Sequence, residues 1–179
     1  MKKAEVRSQK LEGRIKLCLV LLAAATGLQA ASDWRAATAA ELKNLIPVRA
    51  PVEKEHIETE FRTASGITDG KGKFVAGVVL ITAGYAAEGK YSNFFLTQAP
   101  IKVGELALPS GDYVFGWQRK DDDTLDVKFY DAHSGKFLGD VDARRLSRVG
   151  RIESFRISPP KEMPSIQIGR FGMSYALSD

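Results

Sequence analysis

Apolar and polar residues alternate along most of this chain with a period of two. Ile57, Thr59, Phe61 and Thr63 share one face of an extended segment, and His56, Glu58, Glu60 and Arg62 share the other. That is the pattern of a half-buried strand with one wet face. Residues 74–81 (FVAGVVLI) are apolar on both faces and read as a central strand; Gly77 within them marks close approach by a neighbour. Further strands are expected over 90–97, 101–103, 106–108, 113–118, 125–130, 136–143, 152–158 and 165–168. Turn-forming residues such as Ser65-Gly66, Pro109-Ser110-Gly111, His133-Ser134-Gly135 and Pro159-Pro160 separate them. Roughly eight to ten short strands with a turn about every 8–12 residues predict an all-β fold, an antiparallel β-sandwich. The alternative is a small lipocalin-like barrel, which would keep a lined cavity where a sandwich fills its middle. No helical period separates the strands, which argues against a parallel α/β sheet. Lys54, Glu58, Glu60, Asp126, Lys128, Arg156 and Gln167 interrupt any continuous lipid-facing band, which argues against an outer-membrane barrel.

The front of the chain follows other rules. Thr38 and Glu41 have capping-box spacing ahead of good helix formers, so a short N-terminal helix is expected over Ala39–Leu45, stopped by Pro47. Pro47 and Pro51 then read as a stiff link. Before them, residues 1–16 are basic, residues 17–25 (LCLVLLAAA) are apolar, and small residues follow at Ala30-Ala31. This is the layout of a secretory signal peptide, cut after Ala30. The apolar run is far shorter than the ~20 residues that span a bilayer, so no transmembrane span is expected after cleavage. The chain thus divides into a signal peptide (1–30), a helix with a Pro-containing linker (31–51) and a β-sandwich domain (52–179), and its expected location is the periplasm or the cell exterior.

Taking the signal away changes the electrostatic picture. The chain has 26 basic and 22 acidic residues, a net charge of +4. Residues 1–30 hold six basic and two acidic ones, so 20 of each remain after cleavage. A neutral domain gives no ground for expecting nucleic acid as a partner. The single cysteine, Cys18, leaves with the signal, so neither a disulfide nor a thiolate is expected in the mature protein.

Two turns carry a resemblance. The run Leu106-Ala107-Leu108-Pro109-Ser110-Gly111-Asp112-Tyr113-Val114-Phe115 resembles the strand, L-P-x-G-x-Y, strand element of secreted bacterial β-sandwiches, including transthyretin-like and carboxypeptidase-regulatory-like domains. The segment Phe129-Tyr130-Asp131-Ala132 with Ser134-Gly135-Lys136-Phe137-Leu138-Gly139 resembles the Y-D-A-x-T/S-G-K-x-L-G hairpins of similar proteins. The resemblance implies a sandwich and no activity.

Several groups of residues could carry chemistry. His56, Glu58 and Glu60 lie on one strand face, but same-face neighbours ~6.5–7 Å apart converge poorly on one ion, so no metal is expected. Asp131, His133 and Ser134 could be drawn as a hydrolytic trio, yet they read better as turn formers. Gly172-Met173-Ser174-Tyr175-Ala176 has a trace of a nucleophile elbow, without the downstream histidine that order requires. Asp121-Asp122-Asp123 lacks the alternation of a calcium loop. No catalytic residue and no cofactor is assigned. Two candidate partner surfaces remain: the basic run Arg144, Arg145, Arg148 and Arg151, and aromatic surface carried by Phe94, Phe95, Trp117 and Tyr130. Adjacent rings such as Phe94 and Phe95 must point to opposite faces of a strand. The expected function is that of an exported, non-catalytic β-sandwich, structural or binding a protein, a glycan or a small ligand. The alternatives are a carboxylate-based hydrolase and a lipocalin-like carrier of an apolar ligand.

Overall fold

The structure is a computed structural model that describes residues 34–147 and 151–177. The expected signal peptide, Cys18, the cut after Ala30 and Arg148 lie outside the described residues. The fold is all-β, as the alternation predicts. One antiparallel sheet curls until it is nearly closed into a barrel, and two short helices accompany it.

The sheet begins with β1 (Arg35–Ala36), followed by helix α1 (Ala39–Leu45) and β2 (Arg49–Val52). The long strand β3 (Glu55–Thr68) leads into β4 (Phe74–Leu80), a single helical turn α2 (Gly84–Ala87) and β5 (Asn93–Thr97). Next come a small hairpin, β6 (Ile101–Val103) and β7 (Leu106–Leu108), and the pair β8 (Gly111–Arg119) and β9 (Thr124–Asp131). β10 (Phe137–Arg145), β11 (Glu153–Ile157), β12 (Ser165–Gly169) and β13 (Phe171–Leu177) complete the chain. Neighbours run β1-β3-β4-β5-β8-β9-β10-β13-β12-β11, with β2 on β3 and the β6–β7 hairpin on β13.

Of the two geometries open to the alternating strands, the structure is one sheet bent round onto itself. β11, the last strand in this order, comes to lie beside β3. Their backbones do not pair; Ile157 N–H instead donates to Ser65 Oγ at 2.9 Å. The Phe155 ring of β11 crosses the interior onto Gly77 of β4. A Cβ at Gly77 would stand 2.8 Å from that ring, which gives the close approach expected at this glycine its cause.

Alternation along each strand sorts the apolar residues into two cores. The inner one includes Ile67, Val75, Phe95, Phe115, Val127, Phe129, Phe155, Ile166 and Met173. Phe115 lies 5.0 Å from Phe129 and 6.1 Å from Phe155 between ring centroids, within the range of favourable aromatic pairs, so the middle of the barrel is filled by side chains. The second core lies outside the sheet, where Phe94, Ala76, Val78 and Val114 meet Leu42 and Ile46 of the N-terminal segment.

That segment was expected to be partly linker. Helix α1 forms as predicted, with Glu41 N–H donating to Thr38 Oγ1 at 3.3 Å and Thr38 N–H donating to Glu41 Oε2 at 2.8 Å. Residues 49–52, however, form a strand paired to β3, with Arg49 opposite Glu58. Two of their side chains, Ala50 and Val52, complete the outer core. Burial of these apolar groups outweighs the proline at position 51, which is tolerable on a strand at the sheet margin. β13 was not expected from the sequence either. Its residues Phe171, Met173 and Tyr175 point inward while Ser174 faces out, so the residues with a trace of an elbow form a strand in the barrel wall.

Candidate functional site: the open end of the barrel

The two ends of the barrel differ. At one, Trp34, Ile101, Leu108 and Tyr113 fill the interior, and the Tyr113 hydroxyl donates to Pro109 O at 2.7 Å. At the other, β4, β8 and β12 finish and β5, β9 and β13 begin. There the inner residues surround a cavity of about 470 Å³. Its walls include Val79, Trp117, Leu125, Ile168 and Phe171. This is within the ~300–1,000 Å³ range of ligand pockets, and the mix of apolar walls with a few polar groups is typical of them.

Each wall residue is where alternation puts it. Tyr113, Phe115 and Trp117 form the inward stripe of β8. The first two are buried, and the stripe runs out of core at Trp117, which is 39% exposed at the rim. On β5, Phe95 belongs to the inner core while Phe94 and Leu96 belong to the outer one, so Asn93 faces inward. Asn93 is only 2% exposed, lines the cavity, and its Nδ2 has no hydrogen-bond partner among the described residues. A buried amide donor without an acceptor costs about 1–3 kcal/mol, so such atoms are uncommon in folded proteins.

The rim is cationic. Arg119 lies 5.7 Å and Arg145 6.0 Å from the centroid of the Phe171 ring, and both are drawn to its π-face. Each also has a carboxylate: Asp122 at 4.0 Å from Arg119 and Asp123 at 3.1 Å from Arg145. Arg170 lines the cavity, is exposed, and its guanidinium makes no ion pair among the described residues. It sits in the tight β12–β13 turn, where Gly169 takes φ +58 and Ile168 pairs with Phe171. Its own carbonyl accepts from Leu146 N–H at 2.9 Å, so the backbone beneath it is tied down. Among the described residues, no Asp, Glu or His lines this cavity.

The residues singled out in the sequence are scattered by the fold. Arg144 pairs with Asp142 at 3.0 Å, Arg145 with Asp123, and Arg151 with Glu153 at 3.2 Å. The described members of the basic run are therefore each neutralised by a neighbour, and only Arg145 comes near the cavity. Phe94 and Phe95 form no surface: they are 1% and 0% exposed, one beneath the N-terminal segment and one inside the barrel. Tyr130 packs edge-on to Tyr91 at 5.3 Å and against Phe137 at 5.5 Å, on the outer face. Trp117 is the one aromatic candidate at the cavity. Asn93 and Arg170 escaped sequence reading. A polar residue at an inward position of an otherwise apolar strand was the available signal for Asn93.

Among the described residues, the carboxylates of Asp131 and Glu60 are each engaged by a neighbour. Asp131 accepts from Ser134 N–H at 2.8 Å and Ser134 Oγ at 2.6 Å, which holds its carboxyl below the usual range, while His133 turns to Asp112 at 3.5 Å. Glu60, bonded by the Arg62 guanidinium and backbone, is lowered to about 2. Among the described residues no group of three His, Cys, Asp or Glu is placed to hold a metal ion. A second cleft of about 390 Å³ runs along the β3–β11 seam between Arg62, Ser65 and Phe155, and is more polar. Beside the outer core, Tyr91 donates to Glu53, a non-glycine residue at φ +56; burial first and this bond second push the Tyr91 phenol up.

No protein-family model, curated protein or solved structure matches the chain. At the two hairpins singled out in the sequence, β7 turns into β8 and β9 into β10. Among the described residues no helix is long and apolar enough to cross a membrane.

Proposed function

We propose that this chain is an exported, non-catalytic binding protein of the periplasm or cell exterior, and that it holds a small apolar molecule in the open end of its barrel. The observation that carries the reading is the apolar cavity with an inward, unpartnered Asn93 amide in its wall. Of the alternatives raised by the sequence, this favours the carrier over the hydrolase, because among the described residues no carboxylate or histidine lines the cavity. The signal-peptide pattern supports export.

Titration with the neutral dye N-phenyl-1-naphthylamine tests the binding. Saturable emission enhancement at one dye per chain is expected, with about tenfold weaker binding in Trp117→Ala, as removal of a large apolar wall of this kind costs about 1–2 kcal/mol. Non-saturable emission, or equal affinity in the variant, overturns the proposal. Export is tested by intact mass: protein from the exported fraction should begin at Ala31 or Ser32, and full-length chain in the membrane fraction would refute it.

A further inference from the structure

We infer that the molecule held at the barrel mouth is a free amphipathic acid: an apolar chain or ring with a carboxylate at Arg170 and a neutral acceptor oxygen bonded by Asn93 Nδ2. This inference rests on the binding function proposed above and adds the ligand's chemistry to it.

Three features of the cavity set three parts of the ligand. The walls formed by Val79, Leu125 and Ile168 ask for an apolar body. Asn93 faces inward and is buried, and its Nδ2 can only donate. What it meets must be an oxygen or another acceptor, and a neutral one. A carboxylate pushed to that depth would lose its hydration with no cation among the inner walls, and an uncompensated buried charge is far costlier than a buried hydroxyl or carbonyl. The charge therefore belongs at the mouth, where the cations are.

At the mouth the arginines are unequal. Arg119 and Arg145 are each committed to Phe171 and to an aspartate. Arg170 has no ion-pair partner among the described residues, and a two-residue turn fixes its backbone. A guanidinium offers a planar fork of donors that matches a carboxylate, and it is more weakly hydrated than an ammonium group. The cavity's ~470 Å³ suits one short chain rather than a two-tailed lipid, so a free acid is the source that fits its size.

Calorimetric titration of the full exported chain with octanoate and with 1-octanol separates the parts. Octanoate should bind about five- to tenfold tighter at low ionic strength, the range for a charge-assisted pair at an exposed rim. That preference should shrink with added salt and vanish in Arg170→Gln. Among octanoates hydroxylated at successive carbons from the third to the eighth, at least one should gain about threefold or more over octanoate, and Asn93→Leu should remove the gain. Octanol binding as tightly as octanoate, or no effect of Arg170→Gln, overturns the carboxylate. No hydroxylated acid gaining affinity overturns the Asn93 contact. Flotation of the protein with phosphatidylglycerol vesicles, but no binding of the free acids, overturns the source. If both C8 ligands fail while the naphthylamine dye still binds, the ligand class falls and the binding function stands; if the dye fails too, the function falls.

Discussion

Replacing Asn93 with leucine is expected to make the protein more stable. The amide is 2% exposed and faces the inner core, and its Nδ2 has no partner among the described residues. Folding strips water from that donor and returns nothing, a cost of about 1–3 kcal/mol. Leucine has nearly the same size and branching, so it should lie against Val79 and Phe115, the residues paired with Asn93 on the two adjoining strands, without the overpacking that a larger side chain would cause. A net gain of about 1–2 kcal/mol is the expected result. For a domain of this size, each kcal/mol moves the melting temperature by about 2–4 °C, so Tm should rise by about 2–8 °C. Calorimetry gives Tm directly, and urea unfolding should show a higher midpoint at an unchanged slope, which separates greater stability from a changed unfolded state. The reasoning is refuted if Tm stays level or falls. The Asn93 donor would then be satisfied in the free protein, and the cavity would have no donor to spend on a ligand.

Gly77→Ala should destabilise by about 1–3 kcal/mol, because its Cβ would stand 2.8 Å from the Phe155 ring. In Phe155→Ala, itself costing about 3–5 kcal/mol, the added methyl should cost less, because only its 2.9 Å approach to the Phe94 carbonyl oxygen remains, and fully additive urea midpoints in the double variant would contradict the ring contact. Tyr91→Phe removes the bond to Glu53 and should cost about 1–2 kcal/mol in chemical denaturation, whereas an unchanged midpoint would show that bond to be idle. The Glu41 carboxyl is lowered from 4.5 to about 2, by the Arg35 guanidinium first and the Thr38 backbone and hydroxyl next. A lowered acid contributes stability that is fully present above pH 4.5 and is lost as pH falls toward 2. Glu41→Gln should therefore flatten the acid side of the Tm profile between those values, and a profile superimposable on wild type would rule the contribution out.

Much of the wall was legible because period-two alternation is imposed by the pleat itself. The inward stripe Tyr113-Phe115-Trp117, the doubly apolar β4 and the Thr38–Glu41 box all stand as the pattern predicts. β2 was hidden by Pro47 ahead of it and Pro51 within it, and shows itself only through its pairing with β3. β13 was hidden by small and polar residues on its outward side, since Gly172 and Ser174 look like a turn until Met173 and Tyr175 are seen to face the core. Alternation left the curl of the sheet open between sandwich and barrel, because it depends on which strands become neighbours at long range. The site fails to show in the sequence for the same reason. Asn93, Trp117 and Arg170 come together only because β5, β8 and the β12–β13 turn reach the same end of the barrel.

The unpaired seam also bears on how the protein behaves among copies of itself. Two strand margins, β3 and β11, each carry backbone groups that another chain could pair with, and such margins are routes to fibres. Here each margin lies against the other, held by the Ser65 hydroxyl and by Phe155 reaching across to β4. The molecule thus acts as its own edge guard. Loosening that one side-chain contact, as Ser65→Ala would, trades an internal gap for two exposed templates, so the first sign of damage at this seam should be self-association rather than lost shape.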